Sequence, residues 1–229
     1  SGKIIINQHP SVISYKFLYA SLGGIVGYNH STNIEYAEAR CPKIKYFIPE
    51  NKGSGDYPRI YSGVICGQVS EGSFNYCSGI CNKMFVDNRD YVDGAIGNIV
   101  GYRFMGSNIT KNCYGIINQF RIALTDKFKY YANNATYATD CFSNSDVEFK
   151  NSCFFQKIWD NVKTYTTEEM KTESFLEQLN KYSIKNLGSP VWEFGDDGFP
   201  QLIDLHNTSG ISPIVYDTEF TNKGVFTLS

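Results

Sequence analysis

The 229-residue chain is poor in charge. Lys and Arg number 21 against 23 Asp and Glu, 19% of residues together, with a net charge of −2. An average soluble domain carries roughly 25%. No basic stripe runs along the chain, so no nucleic-acid partner is expected. Long apolar runs are missing too. Nothing approaches the ~18 residues of a membrane-spanning helix, so no membrane span is expected within residues 1–229. Ser1-Gly2 reads as a cloning scar, and the lack of a leader therefore carries no information. Histidine is scarce: His9, His30 and His206 stand far apart, and none belongs to an HExxH motif. The seven cysteines include no CxxC pair, whereas a zinc site asks for paired short spacings. GxSxG, the P-loop and the dinucleotide GxGxxG are all absent. Gly23, Gly24 and Gly27 lack the following helix that phosphate binding requires. These absences argue against a cofactor, a resident metal or a Cys/His nucleophile, and a non-enzymatic role is the expectation.

Polarity comes instead from Asn, Ser, Thr and Tyr, a composition that suits an extracellular or cell-surface β-rich protein. Tyr 17, Phe 16 and Trp 2 make the chain 15% aromatic. Such rings either pack β-sheets or form a carbohydrate-binding surface.

One block recurs. GGIVGYN (23–29) returns as GVICGQV (63–69) and as GNIVGYR (97–103). The last glycines, Gly27, Gly67 and Gly101, are 40 and 34 residues apart. Each block is followed by a polar stretch and a second small motif: NIEYA (33–37), SFNYC (73–77) and NITKNC (108–113). ATYATDC (135–141) and DVEFKNSCFF (146–155) fit the second half loosely, and SVISYKF (11–17) fits as an earlier rung. Ala37, Cys77, Cys113, Cys141 and Cys153 then occupy equivalent places. An odd number of cysteines cannot all pair within one chain. Alanine at the same place favours an internal ladder of small apolar side chains over disulfide or metal chemistry.

Repeats of 20–50 residues mean solenoids, propellers or arrays. The units alternate with period 2 and show no 3.6-residue stripe, which excludes helical repeats. Two short strands per unit are too few for a propeller blade. The expected fold is therefore all-β: a right-handed parallel β-solenoid of irregular coils over residues 3–160. Gly27 would end a strand where the backbone turns sharply, and Gly23 and Gly24 would let coils approach closely. The inserts 49–59 and 85–93 would bulge from turns on one side.

The three ordered blocks resemble the GLUG-motif repeat, which reads G-G-[LIV]-[VI]-G-x-N, a polar turn, then [ST]-[IV]-x-x-[CS]-[YF]. The match covers residues 19–119, with degenerate rungs to about 155; it departs from the pattern at Gln68-Val69 and in its longer intervals. The resemblance implies a bacterial secreted or cell-surface protein, adhesin-like and of the Bacteroides type. Such repeats also accompany IgA-cleaving metalloproteases.

After residue 155 the pattern changes. Residues 164–182 read as a helix, opened by a Thr166/Glu169 capping box. Two short strands follow, VWEF (191–194) and FPQL (199–202), around GDDG. Residues 161–229 are expected to cap the last coil, whose strand edges would otherwise invite aggregation, or to form a small module.

Non-catalytic binding or adhesion is the expected function, with a glycan or a host or matrix protein as partner. Inserted loops carry recognition on such scaffolds, which points to Tyr57, Tyr61 and Tyr91. Asp87, Asp90 and Asp93 lie close enough in sequence to be weak calcium candidates. Two alternatives stand beside this: a catalytic or noncatalytic domain of a carbohydrate-active β-helix protein, and a purely structural spacer. A glycosidase would need two carboxyl groups about 5–10 Å apart.

Overall fold

A computed structural model describes residues 4–7, 19–41, 43–48, 59–88, 93–103, 109–123, 128–133, 137–150, 158–159 and 162–203. These residues are mostly strand, paired in parallel, with one α-helix and one antiparallel hairpin.

The pairing repeats in four columns. The first stacks Tyr19–Gly23, Arg59–Gly63, Asp93–Gly97, Phe128–Asn133 and Ile158–Trp159. After a bend the second begins, where Val26 pairs with Cys66 and Cys66 with Val100. The third stacks Ala37 on Cys77 and Ser78 on Tyr114, followed by Phe142 and Lys163. The fourth stacks Ile4, Ile44, Met84 and Phe120, with Phe149 on Phe120. Ile4–Asn7 thus supplies the earliest described rung, and the SVISYKF stretch lies outside the described residues.

The step between paired residues is 40 from the first copy to the second, as in Tyr19–Arg59 and Ala37–Cys77. It falls to 28 at Tyr114–Phe142 and 21 at Cys141–Val162. Successive copies thus shorten while their strands keep pairing.

Gly27, Gly67 and Gly101 sit between aligned pairs: Val26–Cys66–Val100 on one side and Tyr28–Gln68–Tyr102 on the other. They are not where the chain turns. The bends fall at Gly24-Ile25, Val64-Ile65 and Asn98-Ile99, and each glycine is the second residue of the strand that follows. A Cβ on Gly27 would stand 2.7 Å from the Ser21 carbonyl oxygen, and one on Gly101 would strike the Ser62 backbone. Glycine is needed because the strand after the bend passes close over the strand before it. The bends themselves are bonded between copies: Gly24 N donates to Val64 O at 2.9 Å and Ile65 N to Ile99 O at 3.0 Å.

The sharp turn lies instead between the second and third columns. Tyr36, Tyr76, Asn112 and Asp140 have φ of 53°, 50°, 50° and 51°. Each directly precedes the small residue of its copy. Ala37 pairs with Cys77, and the register continues through Cys113 and Cys141 to Val162. Cys77, Cys113 and Cys141 form one buried cluster with Ile65, Val69 and Phe74. Cys153 lies outside the described residues, and Val162 holds the place after Cys141.

The expected 85–93 insert is smaller than anticipated. Phe85 to Asn88 complete a strand and Asp93 begins the next, which leaves 89–92 as the link. Segments 49–58, 89–92, 124–127 and 151–157 all join the fourth column to the first.

The capping box forms: Glu169 N donates to Thr166 Oγ1 at 3.2 Å and Thr166 N to Glu169 Oε2 at 2.6 Å. It opens only a 3₁₀ turn, Glu169–Lys171. The α-helix, α1, spans Glu173–Leu187, capped by the Thr172 hydroxyl, and it stops at Gly188, whose φ is 78°. Trp192–Phe194 and Pro200–Leu202 make the hairpin.

Helix and hairpin lie along the flank of the stack. Met170, Phe175, Leu179, Trp192, Phe199 and Leu202 pack on Tyr76, Ile80, Tyr114, Ile116 and Phe142. The hairpin reaches back to the first copy, where Leu202 N donates to Glu38 Oε1 at 2.8 Å and Arg40 binds Asp197 and the Pro200 carbonyl. Val162–Tyr165 stays at the end of its sheet. The described part of the unit, residues 162–203, therefore buttresses the third column across four copies, where a cover for the last coil or a small module was expected over 161–229. The middle copies present Ile80, Tyr114, Ile116 and Phe142 on that column, and burying them is a gain.

Candidate functional site

Once the third column is covered, exposed side chains among the described residues lie on the second column and the fourth. The second offers an aromatic and polar ridge on the strand Val26–Cys41. Tyr28 is 47% exposed and Tyr36 40%, with His30, Ser31, Thr32, Asn33 and Glu35 also exposed between them. Tyr28 and His30 stand 6.0 Å apart, ring to ring. Asn29 turns its own loop, accepting from Thr32 N at 3.0 Å and donating to Thr32 O at 2.8 Å. Opposite Thr32 lies Gly72, at φ 102°, where any Cβ would strike the Thr32 backbone.

The Tyr36 end of the ridge is braced. Tyr36 stacks on Tyr76 at 5.1 Å, and Tyr76 leans on Tyr182 of α1 at 6.4 Å. Burial and the neighbouring Tyr36 and Tyr182 push the Tyr76 phenol up to about 12. A tyrosine at positive φ is uncommon, and here the corner turns both rings into one stack. Across the copies Tyr28 pairs with Gln68 and Gln68 with Tyr102. Polar side chains continue the face: Ser73 Oγ donates to Asn33 Oδ1 at 2.8 Å.

The residues chosen from sequence fare differently. Tyr61 is buried, 7% exposed, and stacks on Tyr102 at 4.2 Å, so it is a brace and no ligand contact. Its strand pairs on both sides and turns the ring inward. Tyr57 and Tyr91 lie outside the described residues, as does Asp90. Asp87 pairs with Phe47 and Ala123 in the fourth column, while Asp93 pairs with Arg59 in the first. The two flank a chain crossing and do not share one loop. No group of three metal-ligating side chains occurs among the described residues.

The thiols are structural in their surroundings. Cys41, Cys66, Cys77, Cys81, Cys113 and Cys141 are all buried and unpaired by disulfide. Burial pushes the Cys66 and Cys81 thiols up to about 12. Cys113 is held far up by burial and by the sulfurs of Cys141 and Cys77. A protonated, solvent-shielded thiol is a poor nucleophile.

Sequence reasoning missed Tyr28 and Tyr36. No period-2 signal led to them: Ser31 and Asn33 are exposed beside His30 and Thr32, and Ile34 packs against the core. No family model, curated protein or solved structure matches the chain.

Proposed function

We propose that the chain is a non-catalytic binding module, built as a right-handed parallel β-solenoid of GLUG-like repeats and acting at a bacterial cell surface or outside the cell. The observation that carries this reading is the Tyr28–Tyr36 ridge: two exposed rings, Tyr36 braced from behind by Tyr76, on a scaffold whose inward positions are filled with packed side chains. Exposed aromatics with adaptable polar neighbours favour a glycan or a protein surface as ligand.

The test is a glycan array together with matrix-protein binding, run on the wild type and on Tyr28→Ala/Tyr36→Ala. Binding that falls at least tenfold in the double variant supports the ridge. Blank arrays at high protein concentration would remove the binding reading and leave the structural spacer. Release of sugar fragments from a polysaccharide would favour the carbohydrate-active alternative.

A further inference from the structure

The fourth column carries a different surface. Ile44, Met84 and Phe120 are buried there, so the alternate positions face out. Those positions hold Lys43, Lys83, Phe85 and Arg121, and Lys45 and Lys150 occupy the column's register opposite Phe85 and Arg121. Lys83 and Arg121 are exposed. Arg121 lies 5.1 Å and Lys43 6.0 Å from the Phe85 ring centre, so one ring steadies two cations.

Like charges are neighbours here. Arg121 pairs directly with Lys150, and Lys43 precedes Ile44, which pairs with the Met84 that follows Lys83. Two acids share the column: Glu148, which accepts from Gln119 Nε2 at 2.7 Å, and Asp87. Among the described side chains of the column three cations, Lys43, Lys83 and Arg121, stand against one acid, Glu148, in a chain whose net charge is −2.

We propose that this column binds a linear acidic polysaccharide, with Lys83 and Arg121 as its principal charge contacts. The inference rests on the binding role proposed above and names its ligand class. Strands stack about 4.8 Å apart and alternate residues lie about 6.6 Å apart along a strand. A flat grid of cations at that spacing suits carboxylates or sulfates on successive sugars. Asn82 and Asn118, joined amide to amide at 3.0 Å, and Gln119 stand beside the cations to meet hydroxyl groups. Single-stranded nucleic acid would ask for open rings on which bases stack; among the described side chains Phe85 is the outward ring of this column, and it already carries Lys43 and Arg121.

The experiment uses the 229-residue chain with heparin, polygalacturonate and neutral dextran as probes, at low and moderate salt. Wild type should bind at least one of the polyanions, more weakly as salt rises, and should ignore dextran. Lys83→Gln/Arg121→Gln should lose about tenfold in affinity, while Lys181→Gln/Lys185→Gln on exposed α1 positions should match wild type. Thermal melts confirm that each variant is folded. Equal loss in both double variants, or none in either, overturns the assignment. Failure of both polyanions overturns it as well. If neutral glycans or matrix proteins still bind in that case, the ridge and the binding role stand without it.

Discussion

Asn144 offers the sharpest test of how the shortening copies are held. Its strand, Cys141–Asn144, pairs with the copy before it only at Phe142 and Ser143. Beyond that point the Asn144 side chain takes over. Its Oδ1 accepts from Ile117 N at 3.0 Å and its Nδ2 donates to Ile117 O at 2.9 Å, as a neighbouring peptide would. Asn98 Nδ2 donates to the same Oδ1 at 2.7 Å. Asn144 is 2% exposed. Asn144→Leu keeps the volume and strips these bonds, which leaves the Ile117 N–H and carbonyl without that partner. Each orphaned buried group costs about 1–3 kcal/mol, so the expected loss is about 2–5 kcal/mol. The assay is urea unfolding followed by far-UV circular dichroism and Trp fluorescence, with the slope compared to wild type. An Asn98→Ala/Asn144→Ala cycle should show coupling of about 0.5–3 kcal/mol. A loss below about 1 kcal/mol with an unchanged slope would refute the idea that a side-chain amide completes the ladder.

Cys113→Ala should cost no more than about 1.5 kcal/mol, because Ala37 fills the equivalent place, whereas Cys113→Leu should cost about 1–3 kcal/mol by overpacking; calorimetric melting that ranks them the other way would count against the small-residue ladder. Trp192→Ala should cost about 3–5 kcal/mol and raise amide exchange across Glu173–Leu187, since Trp192 is 1% exposed and meets Tyr114 at 5.5 Å; unchanged exchange in the helix would show that the flank contact does not hold it. Asp146 supplies a pH test. Burial pushes its carboxyl up, but bonds from the Thr167 hydroxyl, Thr167 N and Asn144 outweigh this and hold it below the usual carboxylate value. A lowered folded pKa contributes stability that is present above about 3.9 and lost as pH falls through the folded value. The urea midpoint should therefore drop less between pH 5 and pH 2.5 in Asp146→Asn than in wild type, and parallel curves would refute the assignment.

What was legible in the sequence follows from what backbone geometry demands of side chains. The close crossing after each bend tolerates no Cβ, so Gly27 and Gly101 had to appear as glycine and revealed the repeat. The ladder beyond the αL corner tolerates only small apolar groups, so Ala37, Cys77 and Cys113 aligned by identity. The role given to Gly27 was wrong because a strand crossing and a turn both select glycine, and spacing does not separate them. The true corner was hidden because Tyr36 and Tyr76 are strand formers whose φ is imposed by the surrounding stack. Asn98 and Asn144 drew no role from the sequence, because their bond spans 46 positions. The flank contact did leave a trace: Tyr114, Ile116 and Ile117 form a near-continuous apolar run, as expected of a strand buried on both faces.

The flank contact also decides where recognition can occur. A parallel stack has outward faces that are free to vary, because inward positions alone set the register. Here the helix and hairpin consume the third face, tied to the first copy by Glu38 and Arg40 and to the later copies by Tyr114 and Phe142. One unit thereby clamps four copies of unequal length, which stacking alone would hold only pairwise. The outward columns left open differ in chemistry, one carrying tyrosines among polar groups that include Glu35, the other cationic. A ligand lying along the stack can therefore meet successive copies of the fourth column without displacing a structural contact. This is why charge removal at Lys83 and Arg121 should change binding and leave the melting temperature in place.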